Sequence, residues 1–98
     1  MPDVTIVYWR DIPAQVIVGK GRRAAKQVLN ERFEKAIDRA AMKVGARDAD
    51  AYLSEWRKVA MGAQDGDGNA LALKHAVQLE AEYDDTRLKA LIDADGWA

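Results

Sequence analysis

Lys20, Arg22, Arg23 and Lys26 crowd four cations into seven positions, directly after the flexible Gly19-Lys20-Gly21 joint. Apolar spacing predicts a helix over residues 22–44, so these cations fall at a helix start. A helix start already presents free N–H groups and partial positive charge, which favour anions. Clustered cations there are unfavourable unless acids pair with them or an anion binds. The four are therefore the candidate anion-binding residues. A phosphate, a carboxylate ligand or an acidic partner surface would each serve. The acidic C-terminal third of the same chain is the competing partner. The segment is not a P-loop, because the GxxxxGK[ST] spacing is missing.

Other chemistry is sparse. Asp65-Gly66-Asp67-Gly68-Asn69 resembles the opening of a calcium loop, but Ala70 and Ala76 stand where an EF-hand needs glycine and a bidentate glutamate. It reads instead as a connection in which Asn69 caps the following helix. His75 is the only histidine and has no nucleophile or metal-ligand spacing around it. With no cysteine, thiolate chemistry and disulfides are excluded. No catalytic residue, metal ligand or cofactor is expected, and a stand-alone enzyme is the least favoured class.

The elements that must position these residues fall into two unequal parts. Val4-Thr5-Ile6-Val7-Tyr8-Trp9 and Ala14-Gln15-Val16-Ile17-Val18 are β-branched and aromatic runs separated by Arg10-Asp11-Ile12-Pro13, which predicts a β-hairpin. Pairing Trp9 with Ala14, Val7 with Val16 and Thr5 with Val18 leaves both faces largely apolar. That calls for cover on both sides, or for strands from a second copy. A lone hairpin is marginal in water, so at least one edge is expected to remain open to a partner.

Everything after Gly21 reads as helix. The 22–44 segment carries Ala25, Leu29, Phe33, Ala36, Ile37, Ala40 and Val44 as its apolar stripe, with Glu31, Glu34, Lys35 and Asp38 on the solvated side. A second helix over 48–61, capped by Asp48, buries Tyr52, Leu53, Trp56 and Val59. A third runs from Asn69 to about Tyr83 on Leu73, Ala76, Val77 and Leu79. A short last helix, capped at 85 or 86, carries Leu88, Leu91 and Ile92. The fold class is thus α+β, a single domain over residues 1–98: an N-terminal antiparallel hairpin packed on three helices plus a short C-terminal one.

Composition agrees with a globular chain, at 49% hydrophobic and 32% charged residues. Net charge is −1, but residues 1–30 hold five basic against two acidic side chains, and residues 61–98 three against eight. A nucleic-acid binder would carry an overall positive excess, so nucleic acid is an unexpected partner. No apolar run is long enough to span a bilayer, and Met1-Pro2-Asp3 is not the basic start of a signal peptide. The expected location is cytoplasmic.

The runs from Val7-Tyr8-Trp9-Arg10-Asp11-Ile12-Pro13-Ala14 to Gln15, from Glu31-Arg32-Phe33-Glu34-Lys35 to Ala40, and Asp50-Ala51-Tyr52-Leu53-Ser54-Glu55-Trp56-Arg57 together resemble the small bacterial "virulence factor" domain family. That family is related to the N-terminal part of conserved virulence factor C proteins. The resemblance implies an interaction module and supplies no catalytic residues. It also implies an accessory role beside folate- and corrinoid-dependent methyl-transfer enzymes. The leading expectation is a non-enzymatic module that docks a larger enzyme, or a second copy as a homodimer through edge strands. The hairpin edge (Tyr8, Trp9, Arg10, Asp11, Gln15) and the basic cluster would carry the docking. The alternative is a subunit that binds a small anionic ligand, such as a polyglutamylated folate or a nucleotide, through the same basic cluster.

Overall fold

The two extended runs form β1 (Asp3–Trp9) and β2 (Ile12–Val18) in a computed structural model that describes residues 2–45 and 49–98. The remaining elements are β3 (Ala25–Val28), α1 (Glu31–Lys43), α2 (Ala49–Ser54), β4 (Trp56–Ala63), α3 (Gly68–Glu82) and α4 (Asp85–Asp93). The sheet is antiparallel throughout, in the order β3-β2-β1-β4. The N-terminal hairpin is present as expected, but it occupies the centre of the sheet. Its two long borders, expected to include an open one, are paired by β3 and β4 of the same chain.

The hairpin register differs from the expected one by one residue along Val4–Val7 and by two at Tyr8 and Trp9. Arg10 and Asp11 alone make the turn, with Arg10 at a φ of +53°. Trp9 then pairs with Ile12 and Tyr8 with Pro13, Ala14 bulges, and Val7 meets Gln15. The bulge accommodates Pro13, which has no N–H to give to the ladder.

Helix over 22–44 and 48–61 is corrected to strand in part. Gly21–Arg23 forms one 3₁₀ turn, and Ala25–Val28 pairs with Val18–Gln15, leaving helix only from Glu31. Trp56–Ala63 pairs along β1 after a helix of only six residues. In both cases the unpaired backbone of the hairpin recruits a neighbouring segment whose own propensity is weak, and tertiary pairing overrides it. The Asp48 cap lies outside the described residues.

Two caps move. Asp67, not Asn69, caps α3, its carboxylate accepting from Ala70 N at 3.1 Å. Asp84 caps α4 by accepting from Arg87 N at 2.8 Å. The face of α3 also shifts, burying Leu71, Ala72, Ala76 and Leu79, while Leu73 and Val77 are exposed.

One face of the sheet holds the core. Val4, Ile6, Val16 and Val18 share it with Phe33, Ile37 and Ala40 of α1 and Leu71 and Ala76 of α3, and Leu88 and Leu91 of α4 join the same cluster. The opposite face, carrying Thr5, Val7, Gln15, Ile17, Lys26, Val28, Lys58 and Ala60 by alternation along the registers, has no helix layer of comparable extent. Cover on both sides, the sequence-based expectation, is found on one.

The Arg10 turn is clasped by the C-terminal tail. Asp11 N donates to Gly96 O at 2.8 Å, Ala98 N donates to the Asp11 carboxylate at 2.7 Å, and Arg10 donates to Asp95 O at 2.6 Å. Gly96 has a φ of +91°, and a Cβ there would come within 3.1 Å of both Trp9 and Arg10. Gly96→Ala should therefore lower stability by about 1–3 kcal/mol. In denaturant unfolding the midpoint should fall with an unchanged slope. A midpoint equal to that of the parent would show that the tail does not press on the turn.

Candidate functional site

Trp9, Arg10 and Asp11, expected as partner-binding residues, are spent on the fold. Trp9 is fully buried, and its indole N–H donates to Tyr52 O at 3.0 Å. The Arg10 guanidinium lies 5.1 Å from the ring centres of both Trp9 and Trp97 and pairs with Glu55 at 3.4 Å. Asp11 accepts from Arg57 at 2.7 Å. Tyr8 is half-buried beneath the Arg57 guanidinium, 4.7 Å from its ring centre. Burial raises the Tyr8 phenol above its ordinary pKa, with Tyr83 adding to the rise.

The basic cluster is also placed differently. Lys20, Arg22 and Arg23 are exposed on the β2–β3 connection, Lys26 lies on β3, and none of the four stands at an α-helix start. The helix-dipole argument for an anion site there is thereby removed. Lys20 pairs with Asp3 at 3.6 Å rather than with the acidic C-terminal third. A different basic groove lies between α1 and α4, about 470 Å³ in volume, where Arg32, Lys35, Arg39 and Lys89 alternate with Asp85 and Asp93. Arg32 is anchored by donating to the carbonyls of Glu80 and Tyr83.

Gln15 is the expected site residue that does reach an open groove. It sits one position past the bulge and shares a groove of about 320 Å³ with Val28, Ile37, Glu34, Asp38, Tyr52 and Trp56. Tyr52 stands in the last turn of α2 and Trp56 opens β4, so the short α2–β4 link sets one ring against the other. Their centroids are 5.9 Å apart at 78°, an edge-to-face pair. Behind them Tyr52 stacks on Trp9 at 6.1 Å. Glu34 and Asp38, one turn apart on α1, supply two exposed carboxylates at the rim. Among the described residues neither has an ion-pair partner. Past Gln15 and Trp56 a second groove of about 500 Å³ continues over Val7 to Arg57 and Lys58.

Comparison with known proteins now has a structure to attach to. The family model described as "Virulence factor" matches residues 7–92. The chain belongs to that family. The match spans the hairpin from Val7, the linings of the two grooves beside Gln15, α1 to α3 and α4 up to Ile92. No curated protein and no solved structure matches. Within the matched span Trp9, Arg10 and Asp11 form a structural knot, and Gln15, Tyr52 and Trp56 line the open groove beside it.

Sequence reading placed Tyr52 and Trp56 in the core of one helix and Glu34 and Asp38 on a solvated face. The spacing of Glu34 and Asp38 was the available signal. Its meaning depended on a strand starting at Trp56. Among the described residues no group of acids and histidines could hold a metal ion. His75, half-exposed, bonds Gln64 at 2.9 Å.

Burial raises the Tyr52 phenol above its ordinary value of 10.0, and the charges of Asp38 and Glu34 raise it further. The stability this gives is complete below the unfolded value and is lost as pH rises through the higher native one. Glu34→Gln combined with Asp38→Asn should bring the native pKa down, seen as earlier ionisation in the Tyr52 ring resonances. An unmoved titration would mean that the carboxylates do not face the phenol.

Proposed function

We propose that this domain is a non-enzymatic docking module for a larger protein, which contributes an extended segment as a fifth strand along β4. The observation that carries the reading is the state of β4. It is an eight-residue strand at the end of the sheet order, with only Trp56 and Val59 even partly buried. Edge strands expose unpaired backbone groups that recruit other strands.

The outward groups can be assigned. Arg10 N donates to Glu55 O at 3.0 Å, which makes that pair a hydrogen-bonded one. Such pairs alternate along an antiparallel ladder. Arg57 and Val59 therefore spend their backbone groups on β1, while Lys58 and Ala60 turn theirs outward.

Charge favours a foreign segment over a second copy. Arg57 and Lys58 are exposed on β4. A second copy would add two more cations to the same seam, whereas a segment bearing carboxylates would neutralise it. The open sheet face beside β4, with half-buried Thr5 and Ile17 and exposed Lys58 and Ala60, extends the surface beyond backbone pairing. On the strength of the family resemblance, a folate- or corrinoid-dependent methyl-transfer enzyme is the first host to try.

Ala60→Pro removes one outward N–H and leaves the β1 ladder intact, and an edge strand tolerates proline. The variant should fold and should lose a stoichiometric partner that the parent chain and Ala60→Val both retain. The same partner should protect the Lys58 and Ala60 amides from hydrogen exchange. Retention of the partner by Ala60→Pro would overturn the reading. So would a parent chain that is a homodimer broken by the same substitution, because the occupant of β4 would then be a second copy.

A further inference from the structure

The groove beside Gln15 has a chemistry that strand addition along β4 does not use. We propose that it binds an organic ammonium group, with Tyr52 and Trp56 as its aromatic walls and Glu34 and Asp38 as its counter-charge. The inference is independent of the docking reading.

Tyr52 and Trp56 both line the groove, and the face of an aromatic ring carries negative potential that attracts cations. Ile37, Ala14 and Val28 make the rest of the lining apolar. A small, strongly hydrated metal ion gains little from such a surface. An alkylated ammonium places its carbon substituents on the rings and its charge towards the carboxylates. The Gln15 side-chain oxygen can accept from any N–H the ligand retains.

Among the described residues no cation is set against this counter-charge: Lys35 pairs with Glu31 at 3.4 Å, and Arg57 with Asp11 at 2.7 Å. Lys58 lines the adjoining groove on the far side of Trp56. Neither Glu34 nor Asp38 has a cation against it among the described residues. The same two charges raise the Tyr52 pKa, so their field reaches the aromatic wall. A carboxylate or phosphate ligand would meet that field as repulsion. This selects cations and sets the site apart from the exposed Lys20–Lys26 cluster.

Two sources present this chemistry: a free quaternary amine, or a lysine side chain on a bound protein. Calorimetric titration of the full chain with choline, with Nα-acetyl-lysine methylamide and with uncharged 3,3-dimethylbutan-1-ol separates them. The ammonium probes should bind, and the uncharged isostere about tenfold more weakly or worse. Tighter binding of choline assigns the site to a free amine, and tighter binding of the lysine amide assigns it to a partner side chain.

Glu34→Gln with Asp38→Asn, and separately Trp56→Ala, should each weaken binding by about tenfold. Glu34 and Asp38 are exposed, so their amide replacements keep the fold, and circular dichroism checks this for each variant. Ala60→Pro should leave ammonium binding unchanged, which keeps failure here distinct from failure of the β4 reading. The inference is overturned if the uncharged isostere binds as tightly as choline, if no probe saturates, or if the double amide variant binds as the parent does.

Discussion

The structure depends on the Arg10 turn. A guanidinium there is held between two indole rings, paired with Glu55 and bonded to Asp95 O. These contacts join three parts of the chain that are distant in sequence: the hairpin tip, the α2–β4 junction at Glu55 and the C-terminal tail. A planar cation suits the position because it stacks on aromatic faces while its edge donates hydrogen bonds. The turn also needs a positive φ at Arg10, an uncommon state for a residue with a side chain. Neighbouring contacts over-determine that state, since Asp11 is bonded by Arg57 and by the tail. Removing Arg10 would therefore release several elements together, which explains why the most specific run of the chain is structural.

The same knot fixes the groove. Trp9 is bonded to Tyr52 O and stacked on the Tyr52 ring, so Tyr52 is positioned by the buried core rather than by α2 alone. Glu55 O receives Arg10 N, which starts the β1–β4 ladder and delivers Trp56 to the groove wall. A six-residue helix has little stability of its own, and here α2 is held at its C-terminal end by these two attachments. The groove wall thus inherits its geometry from residues that do not line it.

How much was legible in the sequence follows from how local each signal is. The β-branched runs at 4–9 and 14–18 declared the hairpin, and the stripe Phe33, Ala36, Ile37, Ala40 declared α1, because each pattern lies within one element. Leu88, Leu91 and Ile92 declared α4 for the same reason, although its cap is Asp84 rather than residue 85 or 86. Ala25–Val28 and Trp56–Ala63 could not be read this way. They are strands because the hairpin's flanks need partners, and that requirement is non-local. The candidate site suffered twice from this: Trp9 was assigned to the surface because the knot was invisible, and Trp56 to a helix because β4 was. Gln15, one position past the unpaired Ala14, lines the groove beside Trp56.

The remaining asymmetry of the sheet has a cause in size. A chain of 98 residues buries only about two-thirds of its unfolded surface, and α1, α3 and α4 are used to build one layer. Antiparallel sheets can leave a face in water when that face alternates towards polar residues. Here the uncovered face mixes Val7, Ile17 and Val28 with Thr5, Gln15, Lys26 and Lys58. Val28 is 66% exposed, yet Val7 is buried without a helix above it, so neighbouring side chains on the sheet provide its cover. Its exposed residues are mixed, polar at Lys26 and Lys58 and apolar at Val28, while Val7 near its centre is already shielded within the chain. That is the balance expected of an antiparallel sheet whose helices are all committed to the other side.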